Sequence, residues 1–116
     1  MAFNRPATRE VSINGIFFAD TSAHNGSAVD IGDCVDYVVD IVNSLNTAGN
    51  VQMQWSLDNG VTWVALGTAI AAAATTNLLS TIVAPRPNFG LIRAVYTATV
   101  GPASGTITVG IQKRYM

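Results

Sequence analysis

The side chains that could do chemistry in this 116-residue chain are few and widely spaced. The single histidine, His24, and the single cysteine, Cys34, are separated by nine residues, and no third group that could orient them is evident. Nucleophilic catalysis needs a base beside the nucleophile and a group that orients the base. We therefore expect a solvated loop histidine and a buried, inert thiol. The sequence predicts that the protein is not an enzyme.

Carboxylates are concentrated between residues 30 and 40, and carboxylate oxygens are ligands that calcium prefers. They are Asp30, Asp33, Asp36 and Asp40. The EF-hand pattern with its bidentate glutamate is missing, so we expect no metal and no other cofactor. Spaced carboxylates on a solvent-facing strand oppose aggregation, which explains the cluster without a ligand. Calcium binding is the alternative.

Aromatic residues could stack on a sugar, as in carbohydrate-binding modules. Tyr37, Trp55 and Tyr96 instead alternate in phase with aliphatic neighbours, which predicts core positions. We expect each indole N–H, in Trp55 and in Trp63, to reach a carbonyl or a water at the edge of the core.

Composition favours a protein that works in an assembly. Hydrophobic residues make up 49% of the chain and charged residues only 11%, against about 25% charged residues in an average soluble domain. We interpret this shortage as a surface partly covered by partners, and a Thr-rich soluble β-domain is the alternative. The six basic residues are scattered, which argues against nucleic-acid binding. Because no apolar run suits a signal peptide or a membrane span, we expect synthesis in a cytoplasm and no membrane partner.

Residues 51–66, VQMQWSLDNGVTWVAL, predict a hairpin. Asn59-Gly60 suits a two-residue turn with positive φ angles, and the flanking residues alternate, with Leu57 on the same face as Trp55. We expect Asp58 to accept hydrogen bonds from turn amides and Trp63 to cover the hairpin from the core side. The spacing of Ser56, Asp58, Gly60 and Trp63 resembles the Asp-box, a folding motif of sialidase propellers and of unrelated secreted and viral β-domains.

The rest of the chain alternates with period two between turn signals. The first half predicts a bent strand from Val11, a loop over residues 20–32 and a strand over residues 34–42. After the hairpin, it predicts a loop from residue 67 that leads into a strand over residues 78–83. A long strand over residues 89–100 and a final strand over residues 106–114 follow. With no long helix predicted, we expect one all-β domain over residues 11–116, an antiparallel, jelly-roll-like β-sandwich of six to eight strands.

Residues 35–115 resemble small β-sandwich proteins of tailed-phage virions. The residues that carry the resemblance are an NSL turn leading into the QWSLDNGVTW hairpin, and the late IRAVYTATVGPASGTITVGIQKRY segment. The resemblance implies a non-enzymatic decoration or cement protein located in the virion, which stabilises the phage head by bridging subunits of the major capsid protein. The alternative is a carbohydrate- or receptor-binding module of a phage tail or a cell surface.

The first ten residues read as an extended arm, because Pro6 disfavours regular pairing. Such an arm can add to an edge or a groove of a neighbour. We therefore predict that Phe3, Arg5, Pro6 and Arg9 bind a partner, and that copies of the chain associate, with a trimer as the favoured form. The small side chains of Ala69 to Ala74 suit a close contact between subunits. The alternative is a monomer with a disordered tail and a flexible loop.

Overall fold

The computed structural model describes residues 8–32, 34–75, 77–81 and 89–115. Within these residues the chain forms ten antiparallel strands and no helix, so none of them could cross a membrane as an apolar helix. Six strands have five residues or more, and the other four have two or three. The predicted all-β antiparallel sandwich is confirmed, with ten strands in the described residues instead of the predicted six to eight.

The first sheet has four strands in the order β1-β10-β4-β8. The bounds are β1 Thr8–Ile16, β4 Cys34–Asn43, β8 Asn77–Thr81 and β10 Ile107–Tyr115. Two register shifts interrupt the pairing of β1 with β10, one between Val11 and Ile13 and one between Ile13 and Ile16. Gly15, at φ 61°, lies in the second shift, which agrees with the predicted bend.

The second sheet is built on the central pair β5 Gly49–Ser56 and β9 Leu91–Ala98, which align over their full lengths. Short strands border this pair: β2 His24–Asn25 and β3 Val29–Asp30 lie beside β9, and β6 Val64–Ala65 and β7 Ile70–Ala72 lie beside β5.

The core lies between the two sheets and follows the alternation of their strands. Tyr37, Val39 and Ile41 from β4 are buried in one core with the inward residues of β5 and β9 from the second sheet. The residues that alternate in phase with Tyr96 on β9, and the alternating apolar residues of β10, are also buried, namely Ile92, Ala94, Tyr96, Ala98, Ile107, Val109 and Ile111. Period-two patterning therefore identified the core faces of the long strands correctly.

Two polar side chains, Ser12 on β1 and Lys113 on β10, join the sheets. Ser12, in the first register shift, accepts a hydrogen bond from Ala94 N at 2.9 Å and donates one to Ser27 O at 2.8 Å. Lys113, buried on β10, donates to Glu10 Oε1 at 2.5 Å and to the main-chain oxygen of Asp30 at 2.9 Å. A buried ammonium group must be paired, so these contacts fix the position of β3 against the first sheet.

The first strand begins at Thr8, so Arg9 lies in the sheet and not in an arm that ends at residue 10. The side chain of Arg9 crosses β10 over Gly110 and binds both carboxylate oxygens of Asp40 on β4, at 2.6 and 3.1 Å. Asp40 is therefore 6% exposed, whereas the sequence predicted a solvent-facing carboxylate. The alternation gave its face correctly but could not show the arginine that covers it.

Two further expectations differ from the structure. The predicted loop at residues 20–32 contains β2 and β3, which alternation misses because each strand has only two residues. The Ala-rich segment contains β7, where Ala72 is buried and Asn43 Nδ2 donates to the carbonyl oxygens of Ala72 and Ala73. Part of this segment therefore pairs within its own chain.

We predict that Gly110→Ala destabilises the fold through Arg9. A Cβ at residue 110 would stand 2.5 Å from Arg9 Nη2, so the guanidinium must move and its two hydrogen bonds to Asp40 are lost, at a cost of about 1–3 kcal/mol. Arg9→Met should cost a similar amount. The double variant should be little worse than either single one, because both changes remove the same contact. Additive losses in chemical denaturation would contradict this coupling.

Candidate functional site

The loop that joins β5 to β6, residues 57–63, is organised by the side chains of the Asp-box pattern. Ser56 Oγ donates to Asp58 Oδ1 at 2.8 Å and accepts from Gly60 N at 2.9 Å. The amide of Thr62 donates to the same Asp58 oxygen at 2.8 Å. Asn59 and Gly60 have φ angles of 61° and 89°, as predicted. The connection is nevertheless a seven-residue loop, because strand pairing ends at Trp55 and Val64.

The hydrogen bonds that Asp58 accepts stabilise its ionised form. They lower the pKa of its carboxyl group from 3.8 to about 2, with the Thr62 amide as the largest cause and the Ser56 hydroxyl as a further one. Asp58 is exposed, so this loop carries a fixed negative charge at the protein surface.

Trp63 lies on the outer face of the second sheet and not on the core side as predicted. The guanidinium carbon of Arg93 stands 4.3 Å from the centre of the indole ring, and Arg93 Nε donates to Gln54 Oε1 at 2.9 Å. The indole N–H donates to Gly60 O at 3.0 Å, which confirms the expectation of a carbonyl partner. Trp63 thus fastens the loop to the sheet through a cation–π contact and a hydrogen bond.

The face of the second sheet opposite to Trp63 is the inward face, and its burial decreases toward the end of β5 and the loop that follows. Val51 and Met53 are buried, Trp55 is half-buried, and Leu57 is 62% exposed. The sequence placed Leu57 on the same face as Trp55, but it did not predict that Leu57 is exposed. Phe89, 54% exposed, meets the Trp55 ring edge-on at 5.4 Å and accepts the Trp55 indole N–H at its carbonyl oxygen.

These side chains form an exposed apolar surface, which we call the loop patch: Trp55, Leu57, Val64 and Phe89. An open hollow of about 270 Å³ lies beside it, lined by Trp55, Leu57, Asp58, Thr62 and Val64. The hollow thus combines apolar walls with one ionised carboxylate. Small-molecule and peptide sites often combine an apolar lining with a few polar groups in this way.

The loop patch lies at the end of the sandwich where β1 begins. Thr8 pairs with Lys113, and the ammonium group of Lys113 reaches Asp30 O. Asp30 pairs with Leu91, which pairs in turn with Ser56, the first residue of the Asp-box pattern. The sequence offered no signal for this proximity, since Thr8 and Ser56 are far apart along the chain.

The histidine belongs to a different cluster. His24 lies in β2, half-buried, and not in a solvated loop; its ring stacks on Phe18 at 4.2 Å. His24 Nε2 is 2.6 Å from Asp20 Oδ1, and this hydrogen bond is the main cause that lowers the pKa of Asp20. Cys34 begins β4 in the other sheet, and its side chain lies outside the described part.

The two clustered carboxylates whose side chains the structure describes, Asp30 and Asp40, have separate partners. Asp30 Oδ1 accepts from Gly32 N at 2.7 Å, and Asp40 binds Arg9. Asp33 and the side chain of Asp36 lie outside the described residues, within which no group of three or more acidic, histidine or cysteine side chains could hold a metal ion. Phe3, Arg5 and Pro6 also lie outside the described part, whereas Arg9 is engaged with Asp40.

Comparison with known proteins identifies a shared fold. No family model and no curated protein matches the chain. Among solved structures, the crystal structure of the SPBc2 prophage-derived protein YomS is similar, with a TM-score of 0.59 and 16% sequence identity over 97% of this chain and 98% of that chain. At this identity the likeness shows the fold alone.

Sequence reasoning missed the loop patch, although one signal was present. Leu57 lies between Ser56 and Asp58, inside the Asp-box spacing, so it belongs to the turn and the alternation of β5 does not extend to it. No comparable signal pointed to Phe89, which follows the proline-containing segment.

We predict that the contribution of Asp58 to stability depends on pH. Its folded-state pKa lies below the ordinary value, so its stabilising effect is present above the unfolded pKa of about 4 and is lost as the pH falls toward about 2. At pH values above about 4, the melting temperature of Asp58→Asn should be lower than that of the wild type. The difference should shrink as the pH falls and should vanish near pH 2. Parallel profiles would contradict the assignment.

We predict a moderate effect for Trp63→Ala, because the indole is only half-buried. Loss of the Arg93 contact and of the bond to Gly60 should cost about 1–2 kcal/mol, below the roughly 3–5 kcal/mol of a fully buried aromatic residue. A double-mutant cycle with Arg93→Met in chemical denaturation measures the coupling. A coupling energy of zero would show that the stacking does not hold the loop.

Proposed function

We propose that the protein is a non-enzymatic structural component of a phage particle, a decoration or cement protein that binds the major capsid protein. The observation that carries this proposal is the loop patch, an apolar surface beside a loop that Ser56, Asp58 and Trp63 hold in place. Exposed apolar patches with polar borders are typical of protein interaction sites. The fold shared with a prophage-derived protein supports the phage context.

Adhesion of this kind needs a rigid platform and many copies. The hydrogen bonds of Asp58 fix the loop before any partner binds, so little conformational entropy is lost on binding. A modest contact for each copy then adds up over a particle, because many copies must be displaced together before the shell opens. No catalytic group, metal or cofactor is required, and neither nucleic acid nor a membrane takes part.

The second hypothesis from the sequence, a sugar-binding surface, needs exposed aromatic ring faces. Tyr37 and Tyr96 are buried in the core, Trp63 is stacked by Arg93, and Trp55 is held by Phe89. This arrangement favours the adhesive function over carbohydrate binding.

We expect the protein to be present in many copies in purified particles of the phage whose genome encodes it. Particles grown without its gene should bind the purified chain saturably and should then withstand a higher temperature before releasing DNA. Quantitative mass spectrometry and a DNA-release assay measure the two effects, and an unrelated β-sandwich protein of similar size is the control. Absence from particles, or failure of the chain to bind them, would exclude a decoration role.

A further inference from the structure

The loop patch has the chemistry of a site for a short peptide with one apolar anchor and one positive charge. Leu57 and Val64 are 62% and 52% exposed, beside Trp55, and they surround a hollow large enough for one large side chain. The ionised Asp58 carboxylate lies in the wall of the same hollow. Such a site favours a peptide in which an aromatic or aliphatic side chain lies close to an arginine or a lysine.

The chain itself contains a segment with this chemistry. Residues 1–7, MAFNRPA, carry two large apolar side chains, Met1 and Phe3, one basic side chain, Arg5, and no acidic residue. In an extended chain, residues i and i+2 point to the same side. Phe3 and Arg5 therefore have the spacing to enter an apolar hollow and to approach a carboxylate at its wall.

Residues 1–7 join the fold at the end of the sandwich that carries the loop patch. They precede Thr8, which lies at the same end as the loop patch through Lys113, Asp30 and Leu91. Seven extended residues span about 23 Å, which is more than two sheet-to-sheet distances of roughly 10 Å. A second copy whose loop end faces this one is therefore within reach.

We propose that residues 1–7 of one copy dock on the loop patch of a second copy, with Phe3 in the hollow and Arg5 beside Asp58. The single chain leaves Leu57 and Val64 exposed, so the patch is available to another molecule. An exchange of segments between two copies gives a closed dimer, and the same contact repeated head to tail gives a ring such as a trimer. This self-association does not depend on the capsid role, and either proposal can fail alone.

The first test is the mass of the protein in solution at increasing concentration, measured by sedimentation. We expect the full chain to self-associate, and deletion of residues 1–7, Phe3→Ala and Leu57→Ser each to weaken association about tenfold or more, as loss of a buried anchor does. Arg5→Glu should weaken it as well, since it places a second negative charge beside Asp58. The deletion stops before Arg9, so it leaves the contact with Asp40 in place.

The matched control is Val100→Ser. Val100 is 62% exposed, as Leu57 is, but it follows β9 at the opposite end of the sandwich. This variant should associate like the full chain. Thermal melts of every variant separate a lost contact from a lost fold.

A complementation experiment distinguishes exchange between copies from docking within one chain. The Leu57→Ser chain keeps its N-terminal segment, and the chain without residues 1–7 keeps its patch. Each alone should be mainly monomeric, while an equimolar mixture should form a complex of the two. A full chain that is monomeric at every concentration, or a mixture that does not associate, would overturn the proposal; equal association by Leu57→Ser and Val100→Ser would overturn it too.

Discussion

The hydrogen bonds of Ser12 and Lys113 between the sheets are the constraint on which the arrangement of this sandwich depends. Strand β1 pairs with a neighbour on one side only, so its other side must be joined to something else. Ser12 does this at the first register shift, where its hydroxyl bonds to Ala94 of the second sheet and to Ser27, between β2 and β3. Gly26 permits the approach, because a Cβ there would stand 2.4 Å from Ser12 Oγ. The bulge thus connects the two sheets at an edge that would otherwise be open.

Lys113 completes the connection at the end where β1 begins. Its ammonium group joins Glu10 of the first sheet to the main chain of β3 in the second, which places Leu91, and with it the start of the Asp-box loop, beside the N-terminal end of β1. The neighbourhood of the loop patch and the N-terminal segment is therefore a consequence of a buried charge that had to be paired.

Much of this fold follows from the sequence, because apolar and polar residues alternate along a long strand that has one buried face. Tyr37 and Tyr96 were assigned to the core from that pattern alone, and they are buried. The Asp-box spacing likewise predicted the hydrogen bonds of Asp58 and the positive φ angles at its turn. Local patterns succeed where the structural cause is itself local.

The errors arose where the cause was distant along the chain. Arg9 and Asp40 are 31 residues apart, and only their meeting across Gly110 explains why a carboxylate on an outward face is buried. Trp63 was placed on the core side of the Asp-box hairpin, but the partner that decides its face is Arg93, on another strand. Strands of two residues, such as β2, leave too short a pattern to detect. Leu57 continues an inward face beyond the point where the opposite sheet ends, and sequence periodicity carries no information about that end.

The distribution of charge explains why the loop patch matters. Three of the six basic residues, Arg9, Arg93 and Lys113, contact side chains of their own chain, so they do less to keep the surface hydrated than free charges would. At the loop end, Leu57, Val64 and Phe89 are more than half exposed, and the ionised group that lines their hollow is Asp58. An exposed apolar surface of this kind promotes association unless a partner covers it. Asp58 has two roles in this surface. Its hydrogen bonds hold the loop in shape, and its negative charge favours a basic segment over an acidic one. The loop therefore determines both the shape and the selectivity of the site.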